Sequence, residues 1–150
     1  MPRPPLRDNA IDALGATHAY KTGTAHSTAA TVVAAQSTGL KIRIKAFRFI
    51  AAYDWSATAA ADTALNAAWL SDGATTPLIA LGQFPGLDTT TVIADANTLK
   101  LDTGMIILPG FGVSGTAATA LTIDWTTTNG TLTYQLDVYY DVINATGDVQ

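Results

Sequence analysis

The sequence predicts an all-β protein: an antiparallel β-sandwich preceded by an extended N-terminal arm. Apolar and polar residues alternate through residues 121–126 and again through 132–140, so each strand offers one face to a core and the other to water. Asn129-Gly130 lies between the two segments and supplies the positive φ angles of a tight turn. We therefore expect a closing hairpin within an antiparallel sheet that has one wet face.

The composition also favours strands. The chain has 150 residues, which suits a single domain, and 48% of them are hydrophobic. All twelve acidic residues are aspartate, which favours turns, and the abundant threonine is strand-prone.

Only 13% of the residues are charged, compared with roughly 25% in an average soluble protein. So little charge suits a protein whose surface is covered by copies of itself or by a partner.

Charge and residue usage argue against several classes of partner. The net charge of −4 makes non-specific attraction to nucleic acid unexpected. The absence of cysteine excludes disulfides and thiolate metal sites. No apolar run reaches the length of a membrane span, and the first residues lack the apolar stretch of a signal peptide. We expect no nucleic-acid or membrane partner, and production in a cytoplasm.

Residues 1–23 are expected to form the arm and residues 24–150 the sandwich domain. Three prolines among the first five residues lack amide donors and favour extended conformations. Two interpretations stay open: a terminus that frays, or an arm that becomes ordered along a neighbouring molecule. In the second, the expected contact residues are Pro2, Arg3, Pro4, Pro5, Leu6, Arg7, Ile11 and Leu14.

Strands are expected from about Thr28, the first over 31–35 and a longer one over 40–50. In the longer strand the apolar residues share one face as far as Ala46, and beyond it Phe47 and Phe49 fall on the charged face. Either a β-bulge shifts the phase there or both faces are buried. We favour the second interpretation, with the aromatic face covered by a subunit or by the arm.

The middle of the chain predicts further short strands. Alanines in 57–70 would suit a helix, but the alternation at its end favours a strand over about 64–70. Other strands are expected over 78–81, 90–94, 98–101 and 105–108. Eight or nine short strands separated by turn residues are typical of a sandwich or a jelly roll.

No pattern nominates an active site. Residues 110–115 match the glycine spacing of a dinucleotide-binding loop, but a strand rather than a helix follows at 119–125. His18 and His26 are the only histidines, too few for a typical metal site. No serine stands in a recognisable histidine–carboxylate motif. We expect no enzymatic activity and no cofactor.

Half of the basic residues lie within eight positions, from Lys41 to Arg48. This stripe is either a solvated outer face or a surface that meets an acidic subunit and sets its orientation. The expected inter-subunit contacts are Lys41, Arg43, Lys45, Phe47, Phe49 and Tyr139.

Two stretches carry a resemblance: Val32-Val33-Ala34-Ala35 followed by Thr38-Gly39-Leu40-Lys41-Ile42-Arg43-Ile44, and Gly130-Thr131-Leu132-Thr133-Tyr134 near the end. They resemble head decoration (cement) proteins of tailed bacteriophages and related virion jelly rolls. The likeness covers the first strand pair and the last hairpin, whereas the alanine-rich stretch at 57–61 and the long arm depart from it.

The resemblance implies a virion structural protein on the capsid surface, made in the host cytoplasm. It implies binding to the major capsid protein lattice as a homo-oligomer, with a trimer the favoured order, and stabilisation of the head without catalysis. The alternative is a receptor- or carbohydrate-binding module of a phage head or tail fibre, in which Tyr53, Trp55 or Trp69 would stack on sugars.

Overall fold

The computed structural model describes residues 15–25, 29–54, 66–73, 76–84, 98–109, 112–125 and 131–150. These ranges contain ten strands and no helix. In chain order the strands are β1 (Thr17–Ala25), β2 (Ala30–Val33), β3 (Lys41–Asp54), β4 (Asn66–Asp72), β5 (Thr76–Phe84), β6 (Thr98–Asp102), β7 (Ile106–Ile107), β8 (Val113–Ser114), β9 (Leu121–Trp125) and β10 (Thr131–Ile143).

The strands form two antiparallel sheets packed as a sandwich, which confirms the predicted fold class. One sheet has the order β1-β10-β3-β6, and β7 and β8 pair with β3 along the same side as β6. The other has the order β2-β9-β4-β5. Early strands pair with late ones, β1 with β10 and β2 with β9. This nesting is the topology of a jelly roll.

The predicted closing hairpin is wrong, because its two strands lie in different sheets. β9 runs between β2 and β4, whereas β10 runs between β1 and β3. The rings of Trp125 and Tyr134 pack against each other with centroids 5.6 Å apart. Alternation and turn residues indicate strands and their buried faces, but they do not choose the hydrogen-bonded partner.

The predicted boundary between arm and sandwich is also too late. β1 pairs with β10 from Thr17, opposite Tyr140, onwards, so residues 17–23 belong to the sheet. The alternation did not predict β1, because β1 is an edge strand with few large apolar residues on its inward side. Ala19 has a small side chain there, and Lys21 has a long polar one. Residues 1–14 of the predicted arm lie outside the described ranges.

The other predicted strands agree with the observed ones to within a few residues. Those over 31–35, 40–50 and 64–70 correspond to β2, β3 and β4, and those over 78–81, 98–101 and 105–108 to β5, β6 and β7. The strand expected over 90–94 lies outside the described residues.

A β-bulge at Lys45 divides the long strand β3. Tyr140 pairs with Ile44 and Tyr139 pairs with Ala46, so Lys45 is an extra residue in β3. One extra residue moves every following side chain to the other face. The interpretation that we disfavoured, a bulge that shifts the phase, is therefore the correct one.

The bulge places Phe47 and Phe49 in the core and not at the expected contact between subunits. Phe47 is 2% exposed and Phe49 is fully buried. Before the bulge Ile42 and Ile44 face the core, and after it Phe47 and Phe49 continue that role. The core residues that the two sheets share are Val33, Ile42, Ile44, Phe47, Phe49, Ala51, Ala68, Leu70, Leu81, Leu121, Ile123, Trp125, Tyr134, Leu136 and Val138.

The order of the strands fixes which edges of the two sheets are stacked. β1 lies close to β2 at one side of the sandwich. At the other side β5 lies against β6, because a Cβ on Gly82 of β5 would overlap the side chain of Leu101 in β6. β1 and β5 are therefore at opposite lateral edges.

The segment between β8 and β9 ties the two sheets together at one end. The N–H of Gly115 donates to Ile42 O at 3.0 Å. Asp72 at the end of β4 accepts hydrogen bonds from the Thr116 N–H and the Thr119 hydroxyl. Burial alone would raise the pKa of Asp72, but these hydrogen bonds outweigh it and hold the pKa below its ordinary value of 3.8.

Replacing Gly112, the residue directly before β8, tests how closely the backbone at this point approaches β3. Gly112 has φ +78, and a Cβ there would overlap the carbonyl oxygen of Ile44. We expect Gly112→Ala to cost about 2–4 kcal/mol of unfolding free energy, from the left-handed backbone and the overlap together. Urea unfolding followed by circular dichroism measures it.

Gly39→Ala is the matched control, because Gly39 has φ +85 but no atom lies within 4 Å of the position that a Cβ would take. It should cost only the backbone strain, about 1–2 kcal/mol. Equal losses for the two variants would contradict the close approach of Gly112 to β3.

Candidate functional site

The cations of β3 lie on the outer face of the six-stranded sheet, as the alternation predicts. Arg43 lies directly opposite Asp141 of β10, and Arg43 Nη2 is 2.7 Å from Asp141 Oδ2. The two side chains are only 11% and 4% exposed. Arg43 therefore has its acidic partner within the chain, whereas Lys41 and Lys45 are half-buried on the same face.

Four charged or polar side chains form a row across this face, one from each of β1, β10, β3 and β6. His18 Nε2 lies 2.8 Å from Asp137 Oδ1. Arg48 donates to both carboxylate oxygens of Asp102, at 3.1 and 2.6 Å. The hydrogen bond with Asp102 raises the pKa of Arg48, and Asp137 adds to this by its charge. Basic and acidic groups thus alternate along the row, which we call the charge row.

Two tyrosines border the charge row. Tyr139 stacks on His18, with ring centroids 4.6 Å apart and planes 16° from parallel, so its predicted place on the outer face is correct. Tyr20 pairs with Asp137 in the register of β1 and β10 and is 57% exposed. Tyr20 was not predicted on this face, because residues 17–23 were assigned to the arm.

A shallow groove of about 520 Å³ lies beside the charge row, over β10, β3 and β6. Its floor includes Ile50 and Ala52, and Lys100, Thr133 and Gln135 stand around it. The mixture of an apolar floor and polar rim suits contact with a protein surface.

The outer face of the four-stranded sheet carries a second groove, which we call the Trp69 groove. Its volume is about 310 Å³. Trp69 is half-buried and pairs with Ala80 of β5. Small residues line the hollow beside the indole ring, among them Ala67 and Ala80.

Strand β5, which forms one side of the Trp69 groove, is an irregular edge strand. Its register with β4 shifts twice, between Ala68 and Trp69 and between Leu70 and Ser71. Pro77 lies within the strand and is exposed. Bulges and proline on an edge strand hinder pairing with another strand, so this edge favours side-chain contacts over sheet extension.

Next to the Trp69 groove, β4 and β9 hold a buried polar cluster of Ser71, Thr122 and Asp124. Thr122 Oγ1 donates to Asp124 Oδ2 at 3.1 Å, and the Ser71 hydroxyl also donates to this oxygen. Burial raises the pKa of Asp124 above its ordinary value of 3.8, although the hydrogen bond from Thr122 opposes the shift. His18 lies on the outer face of the other sheet, so it does not join this cluster as a base.

Several predicted residues fall outside the described ranges. They are His26, Trp55 and the whole set expected in the arm, from Pro2 to Leu14. Within the described ranges, no group of three or more metal-ligating residues is close enough to hold a metal ion. No helix in those ranges is long and apolar enough to cross a membrane.

Comparison with known proteins adds no relative. A scan against protein-family models matches no family, and a search of curated proteins finds no similar sequence. The proposal below is therefore drawn from the residues and contacts of this chain.

Removing Asp141 tests whether Arg43 depends on its partner within the chain. In Asp141→Ala the guanidinium would be left almost buried and without its carboxylate, so we expect a loss of about 3 kcal/mol in unfolding free energy. Urea unfolding at neutral pH measures the loss.

Two further variants complete this test. Arg48→Met breaks an exposed pair and should leave the urea midpoint almost unchanged. The double variant Arg43→Met/Asp141→Leu should recover most of the stability lost in Asp141→Ala, because no uncompensated charge is left. A midpoint for Asp141→Ala equal to that of the wild type would contradict the role of the pair.

Proposed function

We propose that this chain is a non-catalytic virion structural protein. In this proposal it is a capsid decoration (cement) protein that binds the major capsid protein lattice of a tailed bacteriophage as a homo-oligomer, with three copies the favoured order. It stabilises the assembled head from the capsid surface.

The observation that carries the proposal is where the N-terminal segment joins the sandwich. The described chain begins at Gly15, directly before β1, and β1 is the edge strand of its sheet. The fourteen residues before it, with three prolines and two arginines, are thus attached at the rim and not at the middle of a face. A basic segment at the rim is well placed to contact a second molecule.

The outer surfaces of the sandwich also support the proposal. Two intrachain ion pairs neutralise charges on the six-stranded sheet, those of Arg43 and Arg48, and His18 and Asp137 share a hydrogen bond. Tyr20, Ile107 and Val149 are more than half exposed. Surfaces with few unpaired charges and exposed apolar groups are typical of sites that meet other proteins.

A second candidate is the receptor- or carbohydrate-binding module, and Trp69 in its groove favours it. A half-buried indole beside a hollow can stack on a sugar ring with its open face. However, the described residues that line this groove are apolar, and a sugar site also needs polar groups that fix the hydroxyls. We therefore place this candidate second.

Co-sedimentation with capsids of the phage that encodes the chain tests the proposal. We expect the full-length protein to pellet with the capsids and a variant lacking residues 2–14 to lose at least about tenfold in binding, because linked weak contacts multiply into avidity. Ser114→Ala, an exposed change on β8 at the side of the six-stranded sheet away from β1, is the control and should bind like the wild type.

A full-length protein that stays in the supernatant would contradict the proposal. Binding to a glycan array by the full-length chain, together with no capsid binding, would favour the carbohydrate-binding module instead. Circular dichroism of the shortened variant checks that the sandwich still forms.

A further inference from the structure

We propose that the Trp69 groove binds the proline-rich segment of a second copy of this chain, through Pro2 and Pro5. The inference deepens the proposed function by naming the contact that joins copies. It rests on the proposed assembly of copies, but it does not depend on binding to a capsid.

The chemistry of the groove fits a short proline-rich ligand. Trp69 forms one wall, and the other lining residues within the described part of the chain are small or apolar, including Ala80, Leu78 and Pro77. Aromatic-lined grooves bind polyproline II segments, which are already extended and lose little entropy on binding. A volume of about 310 Å³ lies at the lower end of ligand sites, which suits a few residues.

The first residues of the chain have the matching pattern. Pro2-Arg3-Pro4-Pro5 places prolines at the first and fourth positions, the spacing at which a polyproline II helix of three residues per turn presents them on one face. Leu6 follows and supplies another apolar side chain. The chain therefore contains both a proline-rich ligand and an aromatic groove.

Topology favours a groove on another copy over the groove on the same copy. The segment joins the sandwich at β1, whereas the groove lies over β4 and β5, at the opposite edge and on the outer face of the other sheet. With residues 2–5 in the groove, the nine residues 6–14 form the linker and span at most about 32 Å, which reaches a neighbour packed beside β1. Because the two contacting surfaces differ, repeated contacts of this kind give a closed ring when the rotation between copies closes, and a closed ring of three is what the proposed trimer requires.

Charge is complementary in the same direction. Residues 1–7 include Arg3 and Arg7 and no acidic residue, so their formal charge is +2. The net charge of the whole chain is −4, so the remaining residues together carry −6. A basic segment is therefore attracted to the acidic body of another copy, and this attraction steers the encounter.

Disulfide cross-linking between two different single-cysteine variants tests the proposal. The chain has no cysteine, so each introduced thiol is unique. A mixture of Leu6→Cys and Ala80→Cys should give a cross-linked dimer under mild oxidation, because Ala80 is exposed beside Trp69. Leu6→Cys with Thr24→Cys is the control, since Thr24 is exposed on β1, at the lateral edge opposite β5.

We expect several-fold more dimer from the first mixture than from the control, and a loss of this excess when Pro2 and Pro5 are both changed to Ala. Equal yields in the two mixtures would overturn the proposal. So would a chain carrying both Leu6→Cys and Ala80→Cys that cross-links only within itself, because the segment would then occupy its own groove.

A variant that blocks the Trp69 groove distinguishes the contact between copies from binding to the capsid. Ala80→Arg should lower the oligomer to a monomer, and Thr24→Arg, an exposed change on β1, should leave it intact. If Ala80→Arg stays oligomeric and still pellets with capsids, this inference is wrong and the proposed function stands. If the cross-link forms but no variant binds capsids, the contact between copies stands and the capsid role is wrong.

Discussion

One extra residue in β3, Lys45, determines which side chains fill the core. Without the bulge, a strict two-residue period would direct either Ile42 and Ile44 or Phe47 and Phe49 to the core, but not both pairs. With it, both pairs are buried, and β3 can pair with β10 along its whole length. The same shift keeps the phenylalanine rings from the surface, so the outer face of this sheet carries the Arg43–Asp141 pair, the charge row, two tyrosines and a shallow groove.

The strands themselves were largely predictable, whereas their partners were not. Alternation identifies a strand because it reports burial within a few residues, and β9 and β10 were located this way. Pairing in a jelly roll joins residues that are far apart in the chain, as Thr17 and Tyr140 are, and no local pattern encodes it. An Asn-Gly turn between two alternating segments therefore suggested a hairpin that the structure does not contain. β1 was missed for a related reason, since an edge strand needs few large apolar residues.

In the candidate site, too, the facing direction of side chains could be predicted from the sequence, whereas contacts between strands could not. The sequence placed Tyr139 and the β3 cations on the outer face correctly, because facing direction follows from the period. It could not show that Arg43 meets Asp141, or that His18 and Arg48 belong to one row, because these pairs join different strands. Trp69 stood out as an aromatic residue, but its groove depends on the small residues that β5 places beside it, and the bulges of β5 were not visible in the pattern.

In the account that these features support, both outer faces of the sandwich contact other proteins. The N-terminal segment, which is attached at the rim, joins one copy to the next. Native mass spectrometry of the purified full-length chain tests this account most directly. The account predicts that the main species is a complex of three copies of the 15.6 kDa chain. A single species of 15.6 kDa at every concentration measured would contradict it.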